Sequence, residues 1–131
     1  MRRSVDRVGI DRYIDAPAAA VWQILVDLDT WPQWGPSVAS AALDDGTRQL
    51  SAGATGRVRT AVGVELPFRI TEFEPGRHWA WAVAGVGATT HTVTEDGDGC
   101  RVSFGAPWWA TPYLAVCGIA LARIERLARP R

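Results

Sequence analysis

The sequence contains no lysine and no asparagine, and all 14 of its basic residues are arginine. That bias is compositional, but the balance it leaves is informative, because 14 acidic residues oppose the 14 basic ones. Contacts to a nucleic-acid backbone need a positive surplus gathered on one face, so nucleic acid is not expected as a partner. Arg2, Arg3 and Arg7 at one end, and Arg123, Arg126, Arg129 and Arg131 at the other, read as ordinary solvated charges.

Long hydrophobic runs are missing too. No stretch reaches the ~18 apolar residues of a membrane-spanning helix, and Met1 to Gly9 has no apolar signal region, so a cytoplasmic protein without membrane insertion is expected. There are only two cysteines, Cys100 and Cys117, with no metal-ligand spacing, and both are expected to be reduced and buried. The sequence has no glycine-rich phosphate loop, no His-Glu-x-x-His pair and no Gly-x-Ser-x-Gly nucleophile elbow. Its carboxylates are scattered among turns and caps. Hydrolase chemistry, a metal and a cofactor are therefore not expected.

What the chain does have is tryptophan: seven in 131 residues, well above ordinary usage. The length suits one domain over residues 1–131, which must carry whatever function exists. Val8, Ile10, Arg12 and Ile14 alternate with Gly9, Asp11 and Tyr13 as a strand does. Asp15-Ala16-Pro17 then opens a helix with proline at its first position, and Ala18, Val21, Trp22 and Leu25 form the packing face. Thr30 is placed to cap a second short turn through Trp31, Pro32 and Gln33.

Beyond Val38 the pattern is one of strands and turns. Turns are expected at Asp45-Gly46, at Pro75-Gly76 as type II, and at Asp96 to Gly99, with a turn or bulge at Val62 to Val64. Alternation places Trp79, Trp81 and Val83 together, then Thr89, His91 and Val93, then Cys100, Val102 and Phe104. A final helix is expected between Pro112 and Pro130, with Leu114, Cys117, Leu121, Ile124 and Ala128 as its apolar stripe. Its first half, Leu114 to Ala122, carries no charge and must be covered on more than one side. The sheet and loops, a ligand, or a second copy in a homodimer are the candidate covers. Gly118 within it costs the helix ~1 kcal/mol relative to Ala, a cost either simply tolerated or returned as free volume beside a pocket. Two short helices, antiparallel strands and one long last helix make an α+β chain, not a doubly wound one.

Four motifs carry a resemblance: Ile14-Asp15-Ala16-Pro17 with Val21-Trp22, Asp27-Leu28-Asp29-Thr30-Trp31-Pro32-Gln33-Trp34, Thr71-Glu72-Phe73-Glu74-Pro75, and Glu125-Arg126-Leu127. In this order they resemble the START-related superfamily of polyketide cyclases and aromatases, pollen allergens and lipid-transfer domains. The resemblance implies a helix-grip fold, in which a seven-stranded curved antiparallel sheet wraps the last helix and encloses a ligand cavity. It implies a lining of Trp79, Trp81, His91, Val93, Val102 and Phe104, with Tyr113 and Cys117 from the helix side. Trp31 and Trp34, in the helix-turn motif of the resemblance, are expected to pack that turn or to frame an entrance.

Candidate chemistry is sparse. His91 is one of two histidines and titrates near neutrality if its surroundings are ordinary. Facing inward, it and Arg69 would move protons and stabilise an enolate. Arg57, Arg59, Tyr13 and Tyr113 are weaker candidates, and His78 is expected to be exposed. Trp79 and Trp81 suggest a flat wall for a planar ligand, and Trp108-Trp109 a lid or hinge. Three readings follow. The leading one is a binding module for an apolar or aromatic small molecule such as a polyketide or lipid. The second is a cyclase or aromatase that folds a poly-ketone, and the third an interaction protein with a collapsed pocket.

Overall fold

The strands β1 (Arg7–Ile14), β2 (Val38–Leu43), β3 (Thr55–Thr60), β4 (Glu65–Glu74), β5 (His78–Val83), β6 (Val86–Asp96) and β7 (Gly99–Pro107) form one curved antiparallel sheet. Its order is β1-β7-β6-β5-β4-β3-β2. The structure is a computed structural model that describes residues 7–129. Arg2, Arg3, Pro130 and Arg131, and the side chain of Arg7, lie outside the described residues. Helices α1 (Ala18–Val26) and α2 (Trp31–Trp34) follow β1, and α3 (Leu114–Ala128) follows β7. This is the helix-grip arrangement expected from the sequence.

Strand alternation is reproduced where packing enforces it. β7 turns Cys100, Val102, Phe104 and Ala106 inward, and all four are buried. The turns form where glycine permits them: Gly76 has φ +81° after Pro75, and Gly97 has φ +62° at the first central position of the two-residue β6–β7 hairpin. The Val62 to Val64 segment is a turn, with Gly63 at φ +91°. Register shifts occur elsewhere, at Val38/Ser40, Ile70/Glu72 and Ala80/Ala82, and such irregularities bend a sheet.

Two cap assignments differ from expectation. Pro17 is the N-cap of α1, one residue before the first helical position. Thr30 makes no side-chain cap to α2; its hydroxyl instead reaches the carbonyls of Ile24 (2.5 Å) and Asp27 (2.8 Å). The last carbonyls of a helix have no intrahelical donor, and the α1–α2 junction supplies them. Trp31 Nε1 donates to the Leu25 carbonyl at 3.0 Å, and Trp34 Nε1 to that of Ile24 at 3.3 Å. The tryptophan-rich motif is thus a cap for α1 as well as a packing element.

α3 packs on β1 and β7 and against α1 and α2. Cys117, Ala120, Leu121 and Ile124 are its buried face, and Arg12 of β1 pairs with Glu125 at 2.8 Å. The uncharged first half is not fully covered, since Ile119 is 47% exposed. Gly118 is the tolerated cost and not pocket volume: it faces β1, not the cavity, and a Cβ there would sit 3.6 Å from Ile10 Cδ1, an ordinary contact. Gly118→Ala should therefore stabilise the protein by ~1 kcal/mol through helix propensity alone, measured by urea unfolding. A loss of stability would show that the site cannot hold a methyl group.

Candidate functional site

Between α3, α2 and the inner face of the sheet lies a cavity of about 310 Å³. Its deep end is built from Trp31, Trp34, Trp79, His91, Phe104 and Cys117, all buried, while Val86, Trp109 and Tyr113 at the other end are exposed and mark the mouth. Across the mouth, the hydroxyls of Ser37 and Tyr113 are hydrogen-bonded at 2.8 Å. Among the described residues, no Asp, Glu or Arg lines the cavity. A second depression, on the outer face over β1, β7 and β6, is polar, lined by Asp11, Thr90, Thr92 and Ser103.

Aromatic rings form the inner wall, though not as a flat surface. Trp79 and Trp81 stand edge to face, 5.7 Å apart at 82°. Strand parity brings them together on the inner face, and the extra residue at the Ala80/Ala82 register shift lies in β6, not between them. Trp79 stacks with two rings, Trp31 at 5.4 Å and 7° and His91 at 3.8 Å and 24°. Engaged by both and only 1% exposed, Trp79 offers a ligand little surface. Trp81 is the more accessible indole.

His91 is held by a hydrogen-bond chain that sets its tautomer. Its Nδ1–H donates to the Trp79 carbonyl at 3.2 Å, because a carbonyl can only accept. The remaining nitrogen, Nε2, then accepts from the Thr89 hydroxyl at 3.1 Å, and that oxygen accepts from Trp81 Nε1 at 3.0 Å. Burial away from water pushes the imidazole down to about 3, so it is neutral across the physiological range. Burial also pushes the thiols of Cys100 and Cys117 up, which keeps both protonated and unreactive.

Residues 6–125 match the family described as polyketide cyclase / dehydrase and lipid transport. The chain belongs to this family. It lies within the START-related superfamily that its sequence motifs resemble. No curated protein matches the sequence. Among solved structures, the protein NE0264 of Nitrosomonas europaea superposes with a TM-score of 0.72 at 15% identity, covering 96% of each chain. XoxI of Bacillus cereus gives a TM-score of 0.72 at 15% identity, covering 95% of this chain and 96% of that one. DynU16, a protein of the dynemicin biosynthetic locus, gives 0.65 at 19% identity, over 94% of this chain and 48% of its own. At such identities the likeness is one of fold.

Within this family member the expected lining residues divide by strand parity and depth. Trp34, Trp79, Trp81, His91, Phe104, Tyr113 and Cys117 line the cavity. Val93 and Val102 point inward but are buried in the core beyond its deep end. Arg69 is exposed on the outer side of β4, between the inward-facing Phe68 and Ile70, so it does not meet His91. The pair expected to carry cyclase chemistry is therefore separated by the sheet, and its histidine is neutral and engaged.

Of the weaker candidates, Tyr113 lines the cavity mouth and the other three turn outward. Tyr13 is 41% exposed, Arg57 pairs with Glu65 at 3.2 Å, and Arg59 donates to the Gly63 carbonyl at 3.1 Å. His78 is less exposed than expected, bridging Thr92 at 2.7 Å and Glu72 at 2.8 Å on the outer face. The sequence reading did not name Trp31, Val58, Thr60, Leu66 or Thr89 as cavity lining. Inward parity with the neighbouring strands was the available signal for Val58, Leu66 and Thr89; for Trp31 the helix-turn motif it shares with Trp34 offered packing or an entrance, and its place in the deep wall depends on how α2 docks.

Proposed function

We propose that this protein binds an uncharged apolar or aromatic small molecule, of the polyketide or lipid-like kind, in the cavity beneath α3. The observation that carries this reading is the lining: aromatic and aliphatic, without any charged side chain among the described residues. At its deep end Trp81 Nε1 is spent on Thr89 and the Thr89 hydroxyl on His91, while the Trp79 indole N–H has no partner among the described residues. A buried carboxylate would find no cation there, and burying one unpaired is costly. At about 310 Å³ the cavity suits a compact ligand, at the small end of the usual range. The reading retains the expectation of a cytoplasmic protein. Any cyclisation in this site would act mainly by confining a reactive chain, since His91 and Arg69 do not converge in it.

The test is a fluorescence titration with neutral polycyclic aromatics and with their carboxylate analogues, alongside native mass spectrometry of the purified protein. Saturable quenching by the neutral compounds is expected, with the carboxylates about tenfold weaker or worse. Ala120→Trp, which fills the cavity from α3, should reduce affinity by about a hundredfold. Absence of saturable binding, together with no ligand retained through purification, would defeat the proposal in favour of a collapsed pocket.

A further inference from the structure

Large apolar side chains are exposed around the mouth of the cavity on three separate elements. Val62 (85%) and Val64 (51%) stand on the β3–β4 turn, Val86 (52%) starts β6, and Trp108 (62%), Trp109 (59%) and Tyr113 (37%) belong to the segment between β7 and α3. They are joined structurally: Ala61 N donates to the Ser37 carbonyl at 3.0 Å, and the Ser37 hydroxyl meets that of Tyr113 at 2.8 Å. Thr60, Val86, Trp109 and Tyr113 line the cavity itself. The segments 60–64, 83–90 and 102–122 contain no Asp, Glu, Arg or Lys. Exposed apolar groups scattered singly need no explanation, but a connected collar of them at the entrance to an apolar cavity does.

We propose that this collar docks on the surface of a lipid bilayer, so that the cavity mouth opens onto the membrane and its apolar ligand is exchanged without crossing water. Three features favour a bilayer over a second copy of the chain. Trp and Tyr combine an apolar body with a polar N–H or O–H, the combination that settles at a membrane–water interface. Arg59, its guanidinium held at the Gly63 carbonyl, stands at the margin of the collar as a cation for a lipid phosphate. A second copy pressed onto the collar would seal the mouth, whereas a bilayer is where an apolar ligand dissolves. Among the described residues no helix is long and apolar enough to cross a membrane, so the contact is peripheral. The choice of a bilayer rests on the reading of the cavity as an apolar-ligand site. The docking measurement needs no ligand, so either can fail alone.

The experiment is flotation of the purified full chain with phosphatidylcholine vesicles, at low and high salt. The protein should float with these neutral vesicles at both, because apolar contact and not net charge drives the docking. Trp108→Ser with Trp109→Ser should reduce partitioning by about tenfold or more, and brominated lipid should quench the wild-type tryptophans but not those of the double variant. Val62→Asp, on the separate β3–β4 turn, should also weaken flotation, while Leu127→Ser, an exposed leucine on α3 outside the collar, should not. Should the tryptophan variant fail to fold, Val62→Asp decides. No flotation, flotation unaltered by both collar variants, or binding only to anionic vesicles at low salt would each overturn the proposal. A dimer in sedimentation that the collar variants dissociate, with no vesicle binding, would assign the surface to a second copy instead.

Discussion

Lowering the pH from about 7 to about 4 is expected to destabilise the protein by on the order of 3 kcal/mol through His91 alone. In the unfolded chain the imidazole takes up a proton near 6.5, but in the folded state only near 3. Between those values the unfolded state holds the extra proton, so stability rises with pH. The contribution is complete above about pH 6.5, is lost progressively as pH falls, and levels off near pH 3. Carboxylates titrate in the same range, so the decisive measurement is the difference between two urea-unfolding pH profiles. His91→Asn keeps an N–H donor for the Trp79 carbonyl but cannot titrate. Its stability will be lower at neutral pH, and its profile should be flatter below pH ~6.5. Parallel profiles would mean that the imidazole is reached by water or protonated in the fold.

Trp31→Ala should lower stability by ~3–5 kcal/mol, the largest loss expected from any single aromatic in the chain. The residue is 1% exposed, stacks on Trp79, meets Trp34, Phe68 and Trp81, and caps α1 through its indole N–H. A comparison of phenylalanine variants separates the hydrogen bond from the shape. Trp31→Phe leaves the Leu25 carbonyl without its indole donor. Trp79→Phe removes an indole N–H that has no hydrogen-bond partner among the described residues. Losing one half of a buried hydrogen bond costs more than losing a donor already unpaired, so Trp31→Phe should be the worse by about 1–2 kcal/mol. Urea unfolding of both variants checks this, and equal losses would show that ring volume, not the α1 cap, is what Trp31 contributes.

Those two residues also mark how far the sequence could be read. His91 was legible as inward-facing because β6 alternates strictly there, and a period of two is a local property. Its chemistry was not legible. The near-neutral titration expected for a histidine depends on water, and the partners that exclude water and fix its tautomer come from β5 and from its own strand after folding. The tryptophan motif before β2 was recognisable as a turn, yet its function as the α1 cap and as one wall of the cavity needed α2 to be docked.

Local pattern determined the order of elements, the position of α3, the inward faces of β6 and β7 and the glycine turns, because each follows from side-chain period or from the φ values a residue tolerates. The four motifs carried the family resemblance with them. Tertiary structure decided the rest. Parity puts Trp79 and Trp81 on one face, but the tilt of each ring is set by the rings packed around it, Trp31, Phe68 and His91, so the two form an edge-to-face pair and not a flat wall. Arg69 lies between two inward residues, so the docking of β4 sends it outward and away from His91. The mouth of the cavity is assembled from turns between β3 and β4 and between β5 and β6 and from the segment before α3. These segments are separated along the chain, and no local period can place them side by side.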